Sequence, residues 1–186
     1  MSDKPIQHRN RPSDEASAAQ LALARKQGDA FGRALQAMSE MDSHGRLQRA
    51  GDYLIGYEEV EEAEGMYVPD GDGLRWREPQ RENTHLEVVV RDADDGRFIP
   101  GLHVHATLLD GDKEVSSHEL PFLWHPWLFH YGRNLQVPGE GAYSLGIRID
   151  PPGFPRHDKV NGNRYAQPVD VWFDNVKVET GQKHAP

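Results

Sequence analysis

The sequence predicts an all-β sandwich with one α-helix added at its N-terminus, and three observations carry that reading. From about Asp52 onward, short apolar runs are punctuated by Gly, Pro, Asp and Asn, the texture of short strands joined by turns. Two of the runs alternate cleanly. Leu86, Val88 and Val90 point one way and His85, Glu87 and Val89 the other, while Leu102, Val104, Ala106 and Leu108 oppose His103, His105 and Thr107. Ahead of them, Leu21, Ala24, Gly28, Phe31, Leu35 and Met38 recur at spacings of three and four, one apolar stripe along a helix.

Taken in order, residues 1–12 are polar and read as a disordered tail. Ser13 offers an N-cap with Asp14 and Glu15 in the first turn, so a helix of about 14–42 is expected within a unit spanning 13–44. Gly28 and Gly32 weaken it by up to ~1 kcal/mol each, so it needs packing. Its support is its own sandwich, a partner subunit onto which it is swapped, or a partner that it meets as a free arm. The sandwich is expected over 52–180, with strands at 53–57, 86–91, 102–109, 134–137, 143–149 and 169–178. Turns fall at Asp94-Asp95-Gly96, Asp110-Gly111-Asp112, Pro138-Gly139-Glu140-Gly141 and Pro151-Pro152-Gly153, and 181–186 form a second tail.

Composition removes several functions. The chain has 186 residues and no cysteine, which excludes disulfides, thiolate zinc sites, iron–sulfur clusters and cysteine nucleophiles. A site for a soft metal must then be built from His, Met and carboxylate. The net charge of -9 and the lack of a basic stripe argue against nucleic acid as a partner. The N-terminus lacks the apolar segment of a secretory signal, and no stretch approaches the ~20 apolar residues of a membrane span. As written, the chain reads as cytoplasmic and not membrane-spanning. Ten histidines are present; His8 and His184 fall in the tails, leaving eight to explain.

Four segments could use them. On a strand, His85 and Glu87 share a face, so imidazole and carboxylate project side by side as two ligands, or as a ligand and its acceptor. His125 and His130 sit among Trp124, Trp127 and Phe129, an apolar surround that would keep imidazole neutral; alternatively the aromatics are core and the histidines its rim. His157 follows the stiff Pro151-Pro152-Gly153-Phe154 corner. His103 and His105 form a further pair, which extends the His85 face if the two strands are neighbours and never meets it if they lie in opposite sheets. The acidic run from Glu58 to Glu64 either collects cations or is a solvated face. No catalytic triad is legible. Gly139-Glu140-Gly141 precedes a strand, which makes it a hairpin turn and not a phosphate cradle.

Several pieces recur in one order over residues 53–178. They are Tyr53-Leu54-Ile55-Gly56 with Glu58, His85-Leu86-Glu87, Phe98-Ile99-Pro100, Leu120-Pro121, and His130-Tyr131-Gly132 with Asn134. Pro138-Gly139-Glu140-Gly141-Ala142-Tyr143 and Asp150-Pro151-Pro152 with Arg156-His157 complete the series. In this the chain resembles the bacterial Fe2+ transport protein family of periplasmic, immunoglobulin-like proteins. The resemblance implies an immunoglobulin-like β-sandwich, a homodimer, an iron or copper ion bound near the subunit interface, a periplasmic location, and a metal permease or other delivery partner. The family's ligands are the His and Glu of its His-Leu-Glu strand, a Met, the His of its His-Tyr-Gly element and a late His. Carried over, these are His85, Glu87, His130 and His157. The Met is replaced by Phe122 or Leu123, and His125 is the expected substitute. The added helix lies outside the resemblance.

The expected function is therefore a non-enzymatic iron- or copper-binding protein that stores or delivers the ion. A metal-dependent redox enzyme and a metal-free β-sandwich interaction module are the alternatives. Imidazole ligation makes affinity fall below about pH 6, as groups with a reference pKa near 6.5 take up protons.

Overall fold

The computed structural model describes residues 9–38, 46–58 and 60–183. His8, His184, Glu59, the outer ends of both expected tails and residues 39–44 of the expected helical unit lie outside the described residues.

The helix α1 (Ala18–Met38) is followed by β1 (Leu47–Ala50), β2 (Tyr53–Tyr57), β3 (Ala63–Glu64), β4 (Met66–Asp70), β5 (Gly73–Arg77) and β6 (Thr84–Asp92). Then come β7 (Val104–Asp110), β8 (Lys113–Leu120), β9 (Phe122–Trp124), β10 (Phe129–Leu135), β11 (Gly141–Ile149), β12 (Val169–Val178) and β13 (Gln182–Lys183). Two sheets form the sandwich. One is ordered β1-β2-β6-β10-β9 and the other β12-β11-β7-β8. The alternation of the sequence is realised in both: Leu86, Val88 and Val90 are fully buried in one core with Val104, Leu108, Leu145, Ile147 and Ile149. Each such side chain stabilises the fold by about 1.5–3 kcal/mol on burial. Tyr131 is buried too, and its hydroxyl donates to Ile99 O (2.7 Å) and accepts from Leu102 N (3.0 Å), fastening the β6–β7 connection to the core.

Several boundaries differ from expectation. The strand expected over 134–137 is the end of the longer β10. Its residues from His130 to Gly132 are buried, so no polar face marks it. β8 is an edge strand with five of its eight positions exposed up to Glu119, and its sparse apolar content hides it. The β4–β5 hairpin belongs to neither main sheet. β1 places the start of the sandwich ahead of residue 52. At the other end Gln182 and Lys183, expected in a tail, pair in parallel with Ala63 and Glu64. Asn10 and Arg11, expected in the N-terminal tail, donate their backbone N–H groups to Asp94 Oδ2 (3.0 Å) and Asn161 Oδ1 (2.9 Å).

The helix begins at Ala18 because Ser17, and not Ser13, caps it. Gln20 N donates to Ser17 Oγ (3.3 Å) and Ser17 N to Gln20 Oε1 (2.8 Å), a reciprocal capping box. Ser13 instead closes a turn, accepting from Glu15 N and Ala16 N at 3.2 Å and donating to Asp158 Oδ2 at 2.7 Å. The apolar stripe lies on the outer face of the five-stranded sheet, where Leu35 packs with Val89 and Leu128 beside Phe31, Ala34 and Phe98. The helix therefore lies on its own sandwich.

Gly28 explains its cost in helix propensity. A Cβ there would stand 1.8 Å from the carbonyl oxygen of Asp95. Gly28→Ala, which gains about 1 kcal/mol in an isolated helix, is thus expected to undock α1. Amide exchange across 18–38 should accelerate; unchanged exchange with a raised Tm would contradict this packing.

Candidate metal centre

The antiparallel register of β6 and β10 builds the centre. Glu87 is opposite Gly132 and His85 is opposite Asn134, so His130, Gly132 and Asn134, two residues apart, share the outer face with His85 and Glu87. Gly132 is the vacancy between them: a Cβ there would lie 3.1 Å from His130 Cδ2 and 3.0 Å from Leu123 Cδ1. Ligand-capable atoms of His85, Glu87 and His130 all fall within 4.8 Å of one another. Glu87 Oε1 is 3.6 Å from His85 Nε2 and 3.4 Å from His130 Nε2, and the two rings stand at 82°.

Asn134 fixes how His85 is presented. Its Nδ2 donates to Glu64 O (2.7 Å) and its Oδ1 accepts from Glu64 N (3.3 Å), which sets the carboxamide orientation. The same Oδ1 is 2.8 Å from His85 Nδ1, so that nitrogen carries the proton and Nε2 turns its lone pair toward Glu87.

Burial dominates the electrostatics. His85 is 4% exposed and His130 3%. Burial holds His85 below the usual histidine range against the opposing pull of Glu64, and burial aided by His85 and His125 pushes His130 down to about 4. Burial likewise raises Glu87 to about 7, reinforced by the carboxylates of Glu64, Glu58 and Glu61. His85 Nε2, Glu87 Oε2 and His130 Nδ1 are buried without a hydrogen-bond partner. Orphaned polar atoms are costly, and a cation among two neutral imidazoles and a carboxylate would satisfy those of His85 and Glu87. The donor set fits a transition-metal ion.

The centre opens into a cleft of about 210 Å³ whose wall carries Glu58, Glu61, Glu62 and Glu64 with His125, Trp127 and Lys183. The acidic run is thus the mouth of the cleft, and Lys183 pairs with Glu61 there. His125 is exposed, in a turn closed by reciprocal backbone bonds with Leu128 (3.0 and 3.3 Å), and its ring lies edge-on to Trp127.

His157, His105 and His103 lie elsewhere. His157 is 93% exposed and sits 3.2 Å from Glu15, outside this cleft. His105 is on β7 and His103 just before it, in the opposite sheet, where His103 pairs with Glu119 (2.8 Å); neither joins the centre. Leu123 lies opposite His130, while Phe122 lies opposite Tyr131 and packs on Phe98 and Phe129, so Leu123 is the apolar neighbour of the ligand cluster. The contact of Asn134 with His85 and Glu64 is not legible in the sequence; the i, i+2, i+4 spacing of His130, Gly132 and Asn134 is the available signal.

Fold and centre together define a β-sandwich protein with a buried His–Glu–His cluster at the base of an acidic cleft. The chain belongs to the Fe2+ transport protein family, whose pattern matches residues 68–182. UPF0423 proteins of Brucella abortus and Brucella suis are 30% identical to it over 141 residues, 67% of this chain and 72% of theirs. Two solved structures share the fold. A copper-bound variant of FetP from uropathogenic Escherichia coli is 24% identical, with a TM-score of 0.60 over 74% of this chain and 96% of its own. Copper-reconstituted P19 of Campylobacter jejuni is 21% identical, with a TM-score of 0.61 over 75% and 96%. Among the described residues, no helix is long and apolar enough to cross a membrane.

Proposed function

We propose that this protein binds one iron or copper ion at His85, Glu87 and His130 and carries or delivers it without acting as an enzyme. The observation that carries this reading is the convergence of ligand-capable atoms of His85, Glu87 and His130, from β6 and β10, within 4.8 Å of one another. Copper-bound FetP and P19, on the same fold, support it. His85 and His130 bind as neutral imidazoles, Glu87 supplies the negative charge, and the glutamates at the mouth draw the cation inward. With Leu123 where the family carries Met, the site lacks a thioether and favours harder ions than Cu(I). The reading includes a homodimer, a periplasmic location and delivery to or from a metal permease. His157, remote within its own chain, becomes a ligand when a second copy supplies it.

Titration of metal-free protein with Cu(II) and Fe(II) at pH 7.5, with elemental analysis and mass in solution, tests the binding. One ion per chain is expected, and none would end the reading. Oxidation of a redox dye by the loaded protein faster than by the free ion would overturn the non-enzymatic role. His125 is proposed as a further ligand; a His125→Ala variant should bind more weakly, and unchanged affinity would remove it from the set.

The pH dependence follows from Glu87. Its raised pKa of about 7 means that the metal-free carboxyl is protonated below that pH, and an incoming ion must displace the proton. The imidazoles, held low by burial, join this competition only at lower pH. Affinity therefore begins to fall near pH 7, earlier than unperturbed histidines would dictate, and drops about 25-fold between pH 7.5 and 5.5 for one proton displaced. Equal affinities at the two values would contradict it.

A further inference from the structure

A second cavity, of about 560 Å³, lies between α1 and the outer face of the five-stranded sheet. Small-molecule sites have volumes of ~300–1,000 Å³. Its apolar wall is Leu35 of the helix, Leu47 and Val89. Arg91, two residues beyond Val89 on the same face of β6, lines it as well, and its Nε is buried without a hydrogen-bond partner. Of the carboxylates that line the cavity, Asp94 accepts from Asn10 N and faces Arg25 at 3.6 Å and Asp95 holds Arg97 at 2.9 Å, while Asp29 of the helix lines it as well. Burial lowers the pKa of Arg91, against the opposing pull of Glu58, which is also on the wall. Arg33 adds a second guanidinium from the helix. At Gly32 the helix opens toward this group, since a Cβ there would meet only Arg91 Nη1, at 3.1 Å.

We propose that this cavity binds a small organic anion, a carboxylate on an apolar body, with Arg91 holding the carboxylate and Leu35, Leu47 and Val89 enclosing the body. A guanidinium fork is suited to a carboxylate, and a buried donor without a partner is satisfied by one. The helix forming the roof precedes residues 68–182, the segment matched to the family. The inference is independent of the metal centre, and its test uses no metal.

The full-length protein is titrated calorimetrically with octanoate and with 1-octanol, whose chains match and whose charges differ. One octanoate per chain is expected, bound at least about tenfold more tightly than the alcohol, the scale of one charge-assisted hydrogen bond. Arg91→Met should abolish that preference. Gly32→Leu, which fills the cavity from above, should weaken octanoate by about tenfold or more. Equal binding of the two probes by the unaltered protein, no binding of octanoate, or octanoate binding unchanged in Gly32→Leu would each overturn the proposal. If Arg91→Met does not fold, the preference of the unaltered protein and the Gly32→Leu result decide it.

Discussion

A His130→Ala variant is expected to lose metal affinity by about 100-fold or more, since even residues that only orient a ligand are worth 10–100-fold. His130 is one of three ligand-capable groups within 4.8 Å of one another, and no other histidine of the described residues joins that cluster. Removing it leaves Glu87, already raised to about 7 by burial and three neighbouring carboxylates, with a single imidazole to share an ion. Competition against a chelator of known affinity measures the loss. His103→Ala, in the opposite sheet, is the control and should leave affinity unchanged. Thermal unfolding of the metal-free variants separates lost ligation from lost structure. Affinity within about threefold of the parent, on a scale where tenfold is 1.4 kcal/mol, would remove His130 from the centre.

The second large effect concerns stability. Arg164, 4% exposed, places Nη2 2.7 Å from Asp92 Oδ2 and 3.9 Å from Asp52 Oδ1, and donates Nη1 to Asn10 Oδ1 at 2.7 Å. The same two aspartates receive Tyr165: its hydroxyl donates to Asp92 and its N–H to Asp52 Oδ2 at 3.0 Å. Tyr165 itself is held at a φ of 56°, a left-handed conformation that this network must impose. The cluster clamps the 150–168 loop and the N-terminal segment onto β2 and the end of β6. Arg164→Met leaves Asp92 buried without its cation, which costs about 3–5 kcal/mol. For a chain of this size that lowers Tm by roughly 6–20 °C. Adding Asp92→Asn should recover part of the loss, because the stranded charge is then gone. A single-variant effect below about 1 kcal/mol would show that solvent reaches the carboxylate.

Legibility followed the range of the interaction. His85 and Glu87 were visible as a pair because a strand places i and i+2 on one face whatever it packs against. His130 was visible as a histidine in an apolar setting, but its meeting with them depends on β10 lying beside β6 in one register, a contact between residues more than forty apart. Asn134 is part of the family pattern, but its role was not legible for the same reason: it exists only through Glu64 and His85, which reach it from two other segments. The separation of His103 and His105 from the centre likewise awaited the assignment of β7 to the second sheet. In the helix, period and stripe were legible, and Gly28 signalled a need for packing without naming the carbonyl of Asp95. The cap was misplaced because Ser13 and Ser17 both precede the stripe, and only Ser17 has Gln20 three residues on to complete the box.

The proposed function requires two imidazoles and one carboxylate from β6 and β10 to hold a single ion. Crystals of the protein loaded with copper, with anomalous differences collected at the copper absorption edge, test it directly. One strong peak per chain is expected between His85 Nε2, Glu87 and His130, at the ~2.0–2.2 Å usual for nitrogen and oxygen ligands to a first-row ion. A peak confined to the surface histidines 103, 105 or 157, with none at the base of the acidic cleft, would contradict it.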